Sequence, residues 1–114
     1  MENEKVKYII DIIKDMYIKD KLRLAINMSQ SSFLSIKYNK KEMYKYYDNK
    51  FREIDEEYRT TLINFAQTKY FNINFTMAKL IEMTSEEQNQ VALFLFNSIN
   101  LKLNKTILHK VNIS

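Results

Sequence analysis

The sequence predicts an all-α protein, a small multi-helix bundle. Three observations carry that expectation. The chain of 114 residues contains no Gly and no Pro, so the tight turns that a sheet protein requires have lost their two best residues. Apolar residues recur at spacings of three and four, the period of an amphipathic helix. Hydrophobic residues make up 46% and charged residues 28%, a globular composition that supports one core, so a single domain over 1–114 is expected.

The elements follow in order. Val6, Ile9, Ile10, Ile13 and Tyr17 form one stripe, predicting a first helix from about Glu4 to Tyr17. Two short helices are expected at 19–26 and 30–38. A further pattern starts near Lys40, breaks around Asp48-Asn49 and resumes from about Glu53 to Tyr70, with Leu62, Phe65, Ala66 and Lys69 on one face. The acidic run Glu53, Asp55, Glu56, Glu57 suits a helix start, where the backbone dipole favours negative charge. Phe71 to Phe75 alternates strictly and predicts a short extended link, followed by a helix over 76–83. Ser85, with Gln88 three residues on, has capping-box spacing and opens an unusually apolar helix through Val91, Leu93, Phe94, Leu95, Phe96 and Ile99. That helix is expected to be centrally buried or to pack on a partner chain. The end, Thr106 to Ser114, lacks a stop signal and is expected to fray or form a short strand.

Composition excludes several classes of chemistry. Without Gly there is no phosphate loop or dinucleotide fingerprint. Without Cys there is no disulfide, thiolate metal site or cysteine nucleophile. His109 is the one histidine. The serines at 29, 31, 32 and 35 have no nearby base to activate them. No catalytic residue, metal or cofactor is therefore expected, and the protein is not expected to be an enzyme. Glu2, Glu4, Lys5 and Lys7 precede the first apolar pair, unlike a signal peptide. The run Val91 to Phe96 is far below the roughly 20 residues that span a bilayer, so no membrane partner and a cytoplasmic location are expected. Lys, Asn, Ile and Tyr are abundant, which points to an AT-rich genome.

Charge is distributed unevenly. Residues 21–52 hold eight basic residues against two acids, a balance of +6, whereas 53–88 hold three against seven. The basic block contains the window Leu22 to Tyr38, in which two helical patterns meet at Asn27. Leu22, Ile26, Met28, Phe33 and Ile36 are apolar at fixed offsets around that residue. The window, residues 20–38, resembles the helix-turn-helix of the phage-repressor (Cro-like) regulators. That resemblance implies a left-handed Asn27 at the turn, Ser29 as N-cap of a recognition helix, and Gln30, Ser31, Ser32 and Ser35 on the groove-facing surface. Arg23 stands where that family carries a small residue, and Leu34 falls on a face that is normally polar. Lys37, Lys40, Lys41 and Lys45, interleaved with Tyr38, Tyr44, Tyr46 and Tyr47, are positioned to neutralise phosphates.

The functional expectation is a non-catalytic DNA-binding regulator of phage, plasmid or other mobile-element origin. Residues 1–52 would form a helix-turn-helix head and 53–114 a helical body. The partners would be double-stranded DNA and a second copy of the chain, paired through Phe94 and Phe96. The alternative is a small helical protein that binds and inhibits another protein, working through the acidic 53–57 face or the apolar C-terminal helix.

Overall fold

Helix α1 (Glu4–Lys14) begins at Asn3, whose side-chain oxygen accepts from the Lys5 amide at 2.9 Å. The computed structural model describes residues 3–58 and 70–113, apart from the side chains at 57, 58, 70, 71, 102 and 104–113. The expected stripe of α1 faces inward, with Val6, Ile9 and Ile13 buried. The helix stops three residues before the spacing suggests. The Asp15 and Met16 amides close back on Ile12 and Ile13, and Tyr17 turns extended.

Helix α2 (Ile18–Gln30) corrects the helix-turn-helix expectation. It runs unbroken through Asn27, Met28 and Ser29, and no described non-Gly residue has positive φ. The physical reason is packing. Leu22, Leu24, Ala25 and Met28 are all fully buried, because α2 lies centrally against α3, α4 and α5. A left-handed Asn27 would cost about 1–2 kcal/mol and withdraw Met28 from that core. Ser29 is not an N-cap. It is buried, and its hydroxyl donates to the Ile26 carbonyl at 2.7 Å within the helix. The helix ends instead at Ser31, which is extended and accepts the Phe33 amide on its side chain. The expected helix at 30–38 is absent, and residues 31–39 are irregular. Phe33 and Leu34 exchange their expected roles: Phe33 is 74% exposed and Leu34 is buried.

Helix α3 (Lys40–Tyr58) is capped by Asn39, whose side chain accepts from the Glu42 amide. It passes without interruption through Asp48 and Asn49, where a break was expected, and the Arg52–Asp48 ion pair spans that point at 3.0 Å. It also crosses residues 52 and 53, where the head was expected to give way to the body. The expected continuation to Tyr70, with Leu62, Phe65, Ala66 and Lys69, lies outside the described residues. Helix α4 (Tyr70–Ile81) replaces the expected extended link at 71–75. Its buried residues Ile73, Thr76 and Leu80 follow the helical period, so the alternation of Phe71, Ile73 and Phe75 was incidental.

Helix α5 (Ser85–Ile113) starts one residue earlier in its capping frame than expected. Thr84 and Glu87 form the capping box. The Glu87 amide donates to the Thr84 hydroxyl at 3.2 Å, and the Thr84 amide donates to the Glu87 carboxylate at 2.9 Å. Asn3 also donates to that carboxylate, which ties the starts of α1 and α5 together. The helix continues to Ile113, so the expected C-terminal fraying or strand is not observed. Among the described residues there are five helices and no strand, an all-α bundle around one apolar cluster. Among them no helix is long and apolar enough to cross a membrane.

Two predictions follow from these helix assignments. Asn27→Ala should raise stability by about 0.5 kcal/mol and Asn27→Gly should lower it, because both test a helix interior; stabilisation by Gly in urea unfolding would indicate a left-handed residue. The amide of Thr84 holds the Glu87 carboxyl below its ordinary value of 4.5, with the Thr84 hydroxyl, Asn3 and Lys5 acting in the same direction. A lowered folded value stabilises above the unfolded value and is lost as pH falls through the folded one. Wild type should therefore unfold at a higher temperature than Glu87→Gln at neutral pH and lose that advantage in acid. A margin independent of pH would contradict the capping role.

Candidate nucleic-acid interface

An irregular segment leaves backbone groups that need partners, and α5 supplies them to residues 31–39. The Ser35 amide donates to the Gln88 side-chain oxygen and the Lys37 amide to the Asn89 side-chain oxygen, both at 2.8 Å. The Asn89 side-chain nitrogen returns a bond to the Ser35 carbonyl at 2.8 Å. One carboxamide thus pairs with two backbone groups of an extended segment, much as a neighbouring strand would. Gln88 is buried, and its nitrogen also donates to the Leu80 and Met83 carbonyls at the end of α4. Lys40 completes the loop: its ammonium donates to the Ser31 carbonyl at 2.6 Å and the Leu34 carbonyl at 2.5 Å.

The structure sorts the eight cations of residues 21–52 into two groups. Lys21 is buried and donates to the Ser98 hydroxyl at 2.6 Å. Arg23, the bulky residue in the window, lies with its guanidinium 4.9 Å from the centre of the Phe51 ring. Lys40 holds the loop. Lys50 pairs with Glu53 at 3.4 Å and Arg52 with Asp48. Lys37, Lys41 and Lys45 form the second group: they are exposed and make no ion pair with the described residues. Lys41 and Lys45 stand one turn apart on α3, and Lys37 lies in the segment leading into it. Glu42 is exposed on the same stretch.

The other expected contact residues occupy the same region in a different arrangement. Gln30 is exposed but ends α2 instead of opening a recognition helix. Ser32 and Ser35 are exposed and Ser31 is half-buried. The Ser35 backbone is fully engaged by α5, since its carbonyl also receives the Ser85 hydroxyl. Lys40 is half-buried and its ammonium is turned onto the loop carbonyls.

An aromatic series runs under this surface. Tyr38 meets Phe96 edge-on at 5.4 Å, Phe96 stacks on Tyr47 at 5.2 Å, and Tyr47 meets Tyr46 edge-on at 5.1 Å. Phe96 and Tyr47 are buried, while Tyr38 and Tyr46 are 45% and 46% exposed. Burial pushes the Tyr47 phenol far above tyrosine's ordinary range, with Tyr46 and Tyr38 adding to the effect, so it stays neutral. Phe96 therefore belongs to the monomer's core and is not the partner-facing residue it was expected to be. Of the two phenylalanines assigned to a homodimer, Phe94 alone keeps partial exposure.

Among the described residues, no cluster of His, Cys, Asp and Glu could hold a metal ion. The His109 side chain lies outside them. A cleft of about 850 Å³ separates α1 from the start of α5, but its walls mix Lys5, Lys7 and Lys14 with Asp11, Glu86 and Glu87 and favour neither sign of ligand. Compared with protein families, curated proteins and solved structures, the chain matches no family model, no curated protein and no solved structure.

The roles of Gln88 and Lys40 are testable by stability and exchange. Gln88→Ala removes the partner of three buried or half-buried backbone groups and should cost about 2–4 kcal/mol. Lys40→Met should leave the helices intact yet speed hydrogen exchange at residues 33–37, whereas Lys41→Ala should change neither stability nor exchange. Equal exchange in all three proteins would contradict the pinned loop.

Proposed function

We propose that the protein is a non-catalytic, cytoplasmic DNA-binding regulator of phage, plasmid or other mobile-element kind. Its contact surface is the 31–39 segment with the first half of α3. One observation carries this reading. Lys21, Arg23 and Lys40 are engaged inside the fold and Lys50 and Arg52 are ion-paired at its surface, whereas Lys37, Lys41 and Lys45 make no ion pair with the described residues and lie on one continuous stretch. Lysines so placed neutralise phosphates and release counterions. Gln30 and Ser32 flank them as neutral hydrogen-bonding groups. Contact of this kind needs no helix presented at 30–38, and base reading by a helix-turn-helix is not part of the proposal.

A second reading, a small helical protein that binds and blocks another protein, is favoured by the exposure of Phe33 at 74% and Leu93 at 50%. An exposed aromatic side chain is a common anchor in protein interfaces.

The test is an anisotropy titration of a short labelled DNA strand, and of the duplex made from it, at several salt concentrations. Three phosphate contacts predict a log–log salt slope of about −2 to −3. Lys41→Ala and Lys45→Ala should each flatten that slope by about one unit and weaken all sequences alike. Absence of binding to either form in low salt would overturn the reading in favour of the protein-blocking one.

A further inference from the structure

Resting on the nucleic-acid reading, we infer that the preferred ligand is a single strand, its bases stacked on Tyr38, Tyr46 and Phe33 and its phosphates on Lys37, Lys41 and Lys45. The sequence places these residues in a regular order. Lys37-Tyr38 and Lys45-Tyr46 repeat eight residues apart, Lys41 falls midway, and Phe33 precedes Lys37 by four. The fold leaves all six of these side chains exposed. Tyr38 and Tyr46 are the two exposed ends of the aromatic series whose inner members, Phe96 and Tyr47, are fixed in the core. Their rings are therefore held before a ligand arrives; the Lys50 ammonium lies 5.7 Å from the centre of the Tyr46 ring, so a base stacking there takes the face that Lys50 leaves open or displaces it. Phe33 is held differently, at the tip of a loop pinned by Lys40 and Gln88.

Rings of this kind gain most from the flat faces of bases. In a duplex those faces are stacked on one another, and a protein reaches only base edges in the grooves. In a single strand the faces are open, and each base on an aromatic side chain contributes about 1–3 kcal/mol. Glu42 argues in the same direction. It stands exposed beside Lys41 and three residues from Lys45. A stiff duplex laid along α3 would press phosphates against this carboxylate, whereas a flexible strand can pass around it.

The experiment compares oligo-dT with an oligo-dT·oligo-dA duplex of equal length, read by anisotropy and by intrinsic fluorescence. The chain has eight Tyr and no Trp, so its emission reports tyrosine stacking. The single strand should bind at least about tenfold tighter than the duplex and quench that emission. Phe33→Ala and Tyr46→Ala should each weaken single-strand binding about five- to a hundredfold, leaving duplex binding little changed. Phe33→Ala alters an exposed side chain and should melt with wild type. Tyr46→Phe keeps the ring and should restore binding if Tyr46→Ala loses it. Equal or tighter duplex binding would overturn the single-strand inference while leaving the nucleic-acid reading in place. Single-strand preference that survives loss of both rings would overturn the stacking surface. Binding to neither form would overturn the inference and the reading together.

Discussion

The contact on which the rest of this structure depends is the grip of two neighbouring amides, Gln88 and Asn89, on the irregular segment between α2 and α3. That segment has no helix or strand to satisfy its backbone. Gln88 meets this need from inside the core, joining the Ser35 amide to the end of α4, and Asn89 meets it from the surface. Because the Ser35 and Lys37 backbones are fixed, the side chains around them sort cleanly. Leu34 goes in, Phe33 goes out, and Tyr38 is delivered to the ring of Phe96. The start of α3 follows directly, with Asn39 capping it and Lys40 bonding back to the Ser31 carbonyl.

Much of the bundle was legible from spacing alone. The inward stripe of α1 at Val6, Ile9 and Ile13 lies where periodicity puts it, because that helix buries one clear side. The helix-turn-helix window misled for a physical reason. Leu22, Ile26 and Met28 fit the motif's apolar positions, but a central helix that buries Leu22, Leu24, Ala25 and Met28 needs apolar residues there too. With no Gly at position 27, continuing the helix is the cheaper backbone path. Phe71 to Phe75 failed similarly: period-two spacing over five residues is too short to outweigh burial of Ile73, Thr76 and Leu80 on one helical face.

The interface was half legible. Interleaved Lys and Tyr in residues 36–52 marked the stretch that the proposal uses, and the Lys-Tyr pairs eight residues apart were available in the sequence. What could not be read was which members face out. Tyr46 and Tyr47 are adjacent and chemically identical, yet Tyr47 is in the core and Tyr46 is 46% exposed, because successive residues on a helix face different directions and it is Tyr47 that stacks on Phe96. The amide grip was also hidden. Gln88 has the residue type and spacing of a capping partner for Ser85, and only the one-residue shift to Thr84 and Glu87 frees it to turn inward.

The basic block shows why net charge in a sequence window is a poor measure of charge on a surface. A local balance of +6 suggests a strongly attractive patch. The fold withdraws three of the eight cations: Lys21 is desolvated against Ser98, Arg23 is laid on Phe51, and Lys40 is turned onto carbonyls. Each of these cations performs a packing or hydrogen-bonding role that lysine or arginine fills because of its long apolar stem. Lys37, Lys41 and Lys45 are left with no such role in the fold. An exposed lysine on a helix adds little to stability by itself, and among the described residues these three make no ion pair. Their exposure, close in sequence to two tyrosines anchored on the core, is what the proposed contact surface rests on.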